Sequence, residues 1–358
     1  MSTSSASDPL HLVVVGGGIA ALEAVLAVHD LAGSRVRITL IAPEPDFALP
    51  PLAVAEPFAR GFADPLPLAD VMAEHGGVFL RSAVLAVDPA AKTLVLTRDR
   101  VLAYDVLLIA HGAAATPALD HALTFSEHPL DLNGILADLE QGWSRSAAFV
   151  VPVGCTWPLP LYELALMTAE DVWAMNMDHV ELHLITPESA PLAIFGPAAS
   201  EAVAALLEAA GVSVHCGVEA HVPQGGRIVL GTEPDVHVDR IVALPTLVGR
   251  PLAGIPAGAD GFISASDEGL VDGLTDVYAV GDATDRPVKQ GGLACQQADV
   301  VAAHIARRAG ADVEVPPLEQ MLQGRLLTGG ADRFLVRGPG VRGTAGTDPL
   351  WWPPVKVS

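Results

Sequence analysis

Between an apolar run at residues 11–15 and an apolar-periodic stretch at residues 19–31 stands Gly16-Gly17-Gly18-Ile19-Ala20-Ala21, and this turn constrains the fold more than any other part of the chain. A strand that feeds a helix through Gly-x-Gly-x-x-Ala needs the first glycine, Gly16, for a tight turn. The second, Gly18, lets the backbone approach a pyrophosphate, and Ala21 lets the helix pack closely. The first amides of the helix then face the anion. Residues 36–41 supply the next strand, so the chain opens as the βαβ unit of a dinucleotide fold. The acid that usually ends this strand and holds a ribose hydroxyl is missing, because Ile41 is followed by Ala42-Pro43. Glu44 stands either as its substitute or as a solvated loop carboxylate.

Short alternating runs between residues 78 and 96 predict a small β-meander, and residues 104–110 predict a further buried strand of the first sheet. A second series begins at residue 147. It reads as a strand at 148–151, a helix at 161–175, a strand at 180–185, a helix at 198–210 and short strands through 242, a second doubly wound domain inserted into the first. Residues 261–282 predict two more strands and residues 292–308 an alanine-rich helix. The tail, ending Leu350-Trp351-Trp352-Pro353-Pro354, shows no period. The expected fold class is α/β with two Rossmann-like dinucleotide-binding domains, the second one degenerate. Residues 9–125 and 250–310 form the first domain, 126–249 the second, and 311–358 a short C-terminal segment.

Composition narrows the partners. A chain of 358 residues, 51% hydrophobic and 17% charged, can bury a large core, with disorder expected only in the first eight residues and roughly the last fifteen. A net charge of -22 with scattered Lys and Arg argues against nucleic acid, which needs a basic patch. No basic segment precedes an apolar stretch at the start, so a cytoplasmic location is the default. The longest uncharged run, residues 147–162, contains Pro152, Pro158 and Pro160 and reads as a buried strand plus loop, not a membrane span. Cys155, Cys216 and Cys295 are too few and too far apart for a zinc site or a disulfide framework. A disulfide among them would be a redox pair; the plainer reading is three half-buried thiols, and no metal is expected.

Tyr104-Asp105-Val106-Leu107-Leu108-Ile109-Ala110-His111-Gly112 is similar to the mid-chain Ala-Thr-Gly segment of flavoproteins with two dinucleotide domains, and Thr275-Asp276-Val277-Tyr278-Ala279-Val280-Gly281-Asp282 looks like their late FAD motif. With the Gly16 turn they stand in the expected order. The chain thus resembles the FAD-dependent pyridine nucleotide-disulfide oxidoreductase superfamily over nearly its whole length. Pro287-Val288-Lys289-Gln290-Gly291-Gly292-Leu293-Ala294 leans toward the branch of sulfide:quinone oxidoreductases, flavocytochrome c sulfide dehydrogenases and type II NADH dehydrogenases. The resemblance implies FAD, held non-covalently because residues 42–60 contain no cysteine for a link. It implies cofactor contacts from Gly16, Gly18, Ala21, Glu44, Gly112, Gly281 and Asp282, with the amides of Gly292 and Leu293 at the flavin pyrimidine. Lys289 shares the chain with only two other lysines, Lys92 and Lys356. It stands as a catalytic candidate near the flavin or as a solvated loop lysine. His111 replaces the family's threonine and receives no catalytic role.

The second domain breaks the pattern. After its first strand the chain reads Pro152-Val153-Gly154-Cys155-Thr156-Trp157-Pro158-Leu159-Pro160-Leu161-Tyr162-Glu163. One glycine cannot supply the tight turn, the close approach and the packing contact together, so the nicotinamide site is expected to be lost. This loop resembles that of the sulfide-oxidising members, which also carries a cysteine and a Pro-Tyr-Glu element, and Cys155 becomes a catalytic candidate. The C-terminal cysteine that partners it in those relatives is absent, since the region reads Arg325-Leu326-Leu327-Thr328-Gly329-Gly330, and Cys295 is no obvious replacement. The resemblance implies a sulfide:quinone oxidoreductase-like enzyme with a small-molecule electron donor other than NAD(P)H and a quinone or other small acceptor. An NAD(P)H-dependent flavin dehydrogenase, or a flavin-binding protein with a specialised or non-redox role, are the alternatives. The C-terminal region is short beside those of membrane-bound members, so no stable membrane anchor is expected, and a homodimer is allowed.

Overall fold

The computed structural model describes residues 8–48, 53–62, 64–125, 130–177 and 179–350, so residues 351–354 of the Trp-Pro tail lie outside the described residues, as do residues 1–7. The chain divides into two compact units. One comprises residues 1–48, 64–114 and 248–320, the other residues 49–63, 115–247 and 321–358.

The first unit is built on a five-stranded parallel sheet in the order Val277–Ala279, Val106–Ile109, Leu10–Val15, Val36–Ala42, Val78–Arg81. Strands covered on both faces read as continuous apolar runs, and the alternation within Leu10–Val15 divides two cores. Leu12 and Val14 face helices Ile19–Ala32 and Gly291–Arg308, while Val13 and Val15 face the small antiparallel sheet of Val84–Asp88, Thr93–Leu96 and Val101–Ala103. The two helices pack against one another, with Ala20, Ala21 and Ala24 of one and Ala294, Ala298 and Ala302 of the other in a single core. Two expectations change here. Val78–Arg81 joins the large parallel sheet as its edge and leaves the meander to residues 84–103. Residues 261–282 form one strand, Val277–Ala279, plus isolated bridges, because Gly261, Gly269 and Gly273 sit at positive φ and break any longer ladder.

One half-buried interaction between those helices is pH-sensitive. Glu23 hydrogen-bonds Asp299 and the Cys295 thiol, and burial followed by the Asp299 charge raises its carboxyl above the ordinary glutamate range. A carboxyl whose folded-state pKa is raised contributes stability fully below the unfolded pKa and loses it as pH rises through the folded value. Glu23→Gln should therefore be more stable than the parent at pH 8. That gap should close toward pH 4, as thermal melts across pH would show; a gap that grows on acidification would contradict the assignment.

The second unit repeats the architecture, with parallel strands in the order Leu123–Thr124, Arg240–Ala243, Ser146–Val150, Glu181–Thr186, Val212–Cys216. Helices Leu130–Glu140, Leu159–Ala174 and Pro197–Ala209 connect them. Ala148, Val150 and Ile185 share a core with Val222, Ile228 and Val236 of a three-stranded antiparallel meander. The tail, which shows no period in sequence, forms a three-stranded antiparallel sheet of Leu322–Leu326, Arg333–Gly338 and Val341–Gly346. Glycines enter these strands where neighbours come close: a Cβ on Gly324 would lie 3.1 Å from the Phe195 ring and 3.4 Å from Leu159.

Candidate functional site

In the first unit the Gly16 turn sits at the carboxyl edge of the sheet, where open α/β sheets hold ligands. Gly16 has φ of 126°, its N–H donates to the Ile41 carbonyl at 2.8 Å, and a Cβ there would lie 2.2 Å from the Ala110 carbonyl oxygen, so only glycine fits. Gly18 caps the Ile19–Ala32 helix, and a side chain in its place would meet nothing within 4 Å. That open space beside a helix start is room for an anion. Ala21 is fully buried beneath the turn. Gly112, at φ of 70° after strand Val106–Ile109, likewise borders open space. Glu44 is exposed two residues beyond strand Val36–Ala42. His111 approaches the Gly112 carbonyl through Nδ1 at 3.1 Å, and burial lowers its pKa.

Gly281 and Asp282 form a single tight turn, Gly281–Ala283, wedged between the first turns of both helices: a Cβ on Gly281 would stand 3.3 Å from Ala20 and 3.3 Å from Ala294. Two residues that sequence reading did not single out hold this turn. Buried Gln297 accepts the Gly281 N–H at 2.7 Å, and the buried Thr284 hydroxyl donates to the Gly281 carbonyl at 2.8 Å. Nothing local marks Gln297, whose partner lies 16 residues away, whereas Thr284 closes the turn from its own C-terminal end. Burial pushes the Asp282 carboxyl up, and the Lys289 ammonium pulls it back toward ionisation. Lys289 is not a solvated loop lysine: it is 6% exposed, donates to the Thr284 carbonyl, and lies 3.9 Å from the centroid of the Phe262 ring. Burial lowers its pKa, against the opposing charges of Asp282, Asp285 and Asp260.

Helix Gly291–Arg308 starts with Gly291 3.8 Å from Ile19, measured from the Cβ that glycine lacks, so both helix starts converge. The Leu293 N–H is engaged at 2.8 Å by the side-chain oxygen of Gln290, the N-cap residue. Gly292 lies beneath that folded side chain.

The second unit's helix start differs. Helix Leu159–Ala174 has Pro158 as N-cap and Pro160 in its first turn, neither of which carries an N–H, and the Leu161 amide donates to the Pro158 carbonyl at 3.0 Å. Trp157 packs edge-on against Phe195 at 5.8 Å, and the Gly324 backbone closes on Leu159 and Phe195. The buried Glu163 accepts the Leu327 N–H at 3.0 Å. Tyr162 donates its hydroxyl at 2.7 Å to Glu188, which lies just past strand Glu181–Thr186 and also accepts from the Thr186 hydroxyl at 3.1 Å. Cys155, in the loop before this helix, is a free thiol that burial pushes up to about 11, and Cys216 is also free. In the first unit Cys295 is a free thiol pushed up to about 12 by burial, then by Glu23 and Asp299. No group of three or more metal-binding side chains occurs among the described residues.

Two linked parallel sheets with a glycine cradle in the first define a two-domain dinucleotide-binding flavoprotein fold. The pyridine nucleotide-disulphide oxidoreductase family model matches residues 9–151 of the chain. It is 29% identical over 169 residues to the sulfide-quinone reductase of Aquifex aeolicus (strain VF5), a stretch that is 44% of this chain and 38% of that protein. The chain therefore matches little more than a third of that relative's length. Its fold is similar to the solved sulfide:quinone oxidoreductase from Aquifex aeolicus, with a TM-score of 0.84 at 19% identity over 94% of this chain and 87% of that one. It is also similar to the ferredoxin reductase for the CYP199A2 system from Rhodopseudomonas palustris, with a TM-score of 0.66 at 18% identity over 92% and 82% of the two chains. The Gly16 cradle, with its open space at Gly18, fits the pyrophosphate of a dinucleotide such as FAD.

Proposed function

We propose that the chain is an FAD-dependent oxidoreductase of the sulfide:quinone oxidoreductase-like group, taking electrons from a small-molecule donor other than NAD(P)H and passing them to a quinone or other small acceptor. The observation that carries this reading is the contrast between the two helix starts. The Ile19 helix opens on space behind Gly18, whereas the Leu159 helix is covered by its own prolines, Trp157, Phe195 and Gly324. FAD, when bound, supplies the two-electron chemistry, and the protein supplies placement and charge.

In this reading Gly16, Gly18 and Ala21 shape the pyrophosphate seat, and Gly112 and Gly281 leave room for the cofactor's middle. Asp282 accepts hydrogen bonds from its hydroxyls, and Gly292 and Leu293 border the flavin. Exposed Glu44 assists weakly at the ribose. Lys289 acts from behind Asp282, keeping that carboxylate ionised. A thiol held protonated by burial is a poor nucleophile, so electrons reach the flavin without a Cys155 thiolate. Among the described residues no helix is long and apolar enough to cross a membrane, and we place the protein's work in the cytoplasm as part of this proposal.

An anaerobic screen with sulfide, small thiols, NADH and NADPH tests the reading through the flavin absorbance. A donor other than nicotinamide should bleach the yellow colour, and a soluble quinone should restore it. Bleaching by nicotinamide alone would favour an NAD(P)H-dependent dehydrogenase. Tight FAD that no donor reduces would favour a non-redox role.

A further inference from the structure

We infer that Gln290 is a positioning residue that sets the reduction potential of the bound flavin, by engaging an amide at the start of helix Gly291–Arg308 that the cofactor would otherwise meet. The inference rests on the FAD reading above and goes beyond it, because it concerns a side chain that neither the cradle nor the Asp282 turn requires. Gln290 has extended backbone, φ -143° and ψ 135°, and its Oε1 accepts the Leu293 N–H at 2.8 Å. The side chain folds back because residue 292 is glycine: a Cβ there would stand 3.1 Å from Gln290 Oε1 and 3.2 Å from its Nε2. The folded amide thus lies over the helix start.

That helix start belongs to the ligand edge of the first unit. Gly281 is wedged between Ala20 and Ala294, and Gly291 abuts Ile19, so the two helix N-termini and the Asp282 turn converge beyond the carboxyl ends of the parallel strands. Two-electron reduction places negative charge on the flavin, which N–H donors and the positive end of a helix stabilise. A carbonyl oxygen already seated on the Leu293 amide offsets part of that field and removes one donor. Gln290 therefore holds the potential lower than the bare helix start would.

The test compares FAD-loaded parent, Gln290→Ala, Gln290→Ser and Gln290→Glu by equilibration with reference dyes. Gln290→Ala frees the amide and should raise the equilibrium constant for two-electron reduction roughly fivefold, about 20 mV in the positive direction. Serine is nearly the size of alanine but caps the same amide, so Gln290→Ser should stay near the parent. Gln290→Glu keeps the cap and adds negative charge, and should shift the potential the other way. If the alanine variant loses its flavin, the serine and glutamate variants still decide the matter. Equal shifts in alanine and serine, or no shift in the glutamate variant, would overturn the inference. A parent protein that purifies without flavin would instead defeat the FAD reading, a separate result seen before any titration.

Discussion

NADH or NADPH at millimolar concentration, added without oxygen, is expected to leave the flavin of this protein almost wholly oxidised over minutes. The reason lies in the second unit. A dinucleotide needs amides that point at its pyrophosphate from an uncovered helix start. At Leu159–Ala174 two of the relevant residues are prolines, the Leu161 amide is already bonded to Pro158, and Trp157 packs edge-on against Phe195. The acid after the next strand, which in dinucleotide folds takes a ribose hydroxyl, is Glu188, and it is held by Tyr162 and Thr186 within the unit. Affinity that would be micromolar at an open site should fall to millimolar or weaker, a loss of about 4 kcal/mol. Stopped-flow mixing monitored by flavin absorbance checks this. Fast, complete bleaching that saturates at micromolar nucleotide would mean that the loop opens and that the nicotinamide-dependent reading is correct.

Asp282→Ala should weaken FAD binding roughly 30- to 100-fold, about 2 to 3 kcal/mol, while Glu44→Ala should change it less than about twofold. Asp282 is a largely desolvated carboxylate on a turn fixed by Gln297 and Thr284, so it cannot relax away from its partner, and no water readily replaces it. Its removal also strips the buried Lys289 of the largest charge supporting it. Glu44, by contrast, is exposed and its contacts are easily exchanged for water. Titration of FAD into apoprotein, followed by flavin fluorescence, gives both values. An Asp282→Ala variant that retains FAD like the parent would remove Asp282 from the site.

The parts of this molecule that were legible in sequence are those set by local rules. The Gly16 turn, the helix after it and the buried strands declare themselves through glycine spacing and continuous apolar runs, and the prolines of residues 152–160 declare a helix start short of amides. Residues 261–282 misled because their apolar alternation is real while Gly261, Gly269 and Gly273 turn the backbone away from a ladder. The tail sheet was hidden because its strands carry Gly324, Gly338 and Gly343 where packing forbids side chains, which erases the two-residue period. Gln297 has no local signature, since it matters only through a partner 16 residues away, while Thr284 and Gln290 act on partners within their own turns. The burial of Lys289 was equally invisible, because it depends on Phe262 and on three aspartates arriving around one ammonium.

The central claim is that one unit of this fold holds a dinucleotide cofactor and the other does not. Native mass spectrometry of the purified chain, with and without added millimolar NAD(H), tests it most directly. The account predicts one FAD per chain, released intact on denaturation, and no saturable second nucleotide below millimolar NAD(H). A saturable second dinucleotide, or a chain that carries no flavin, would contradict it.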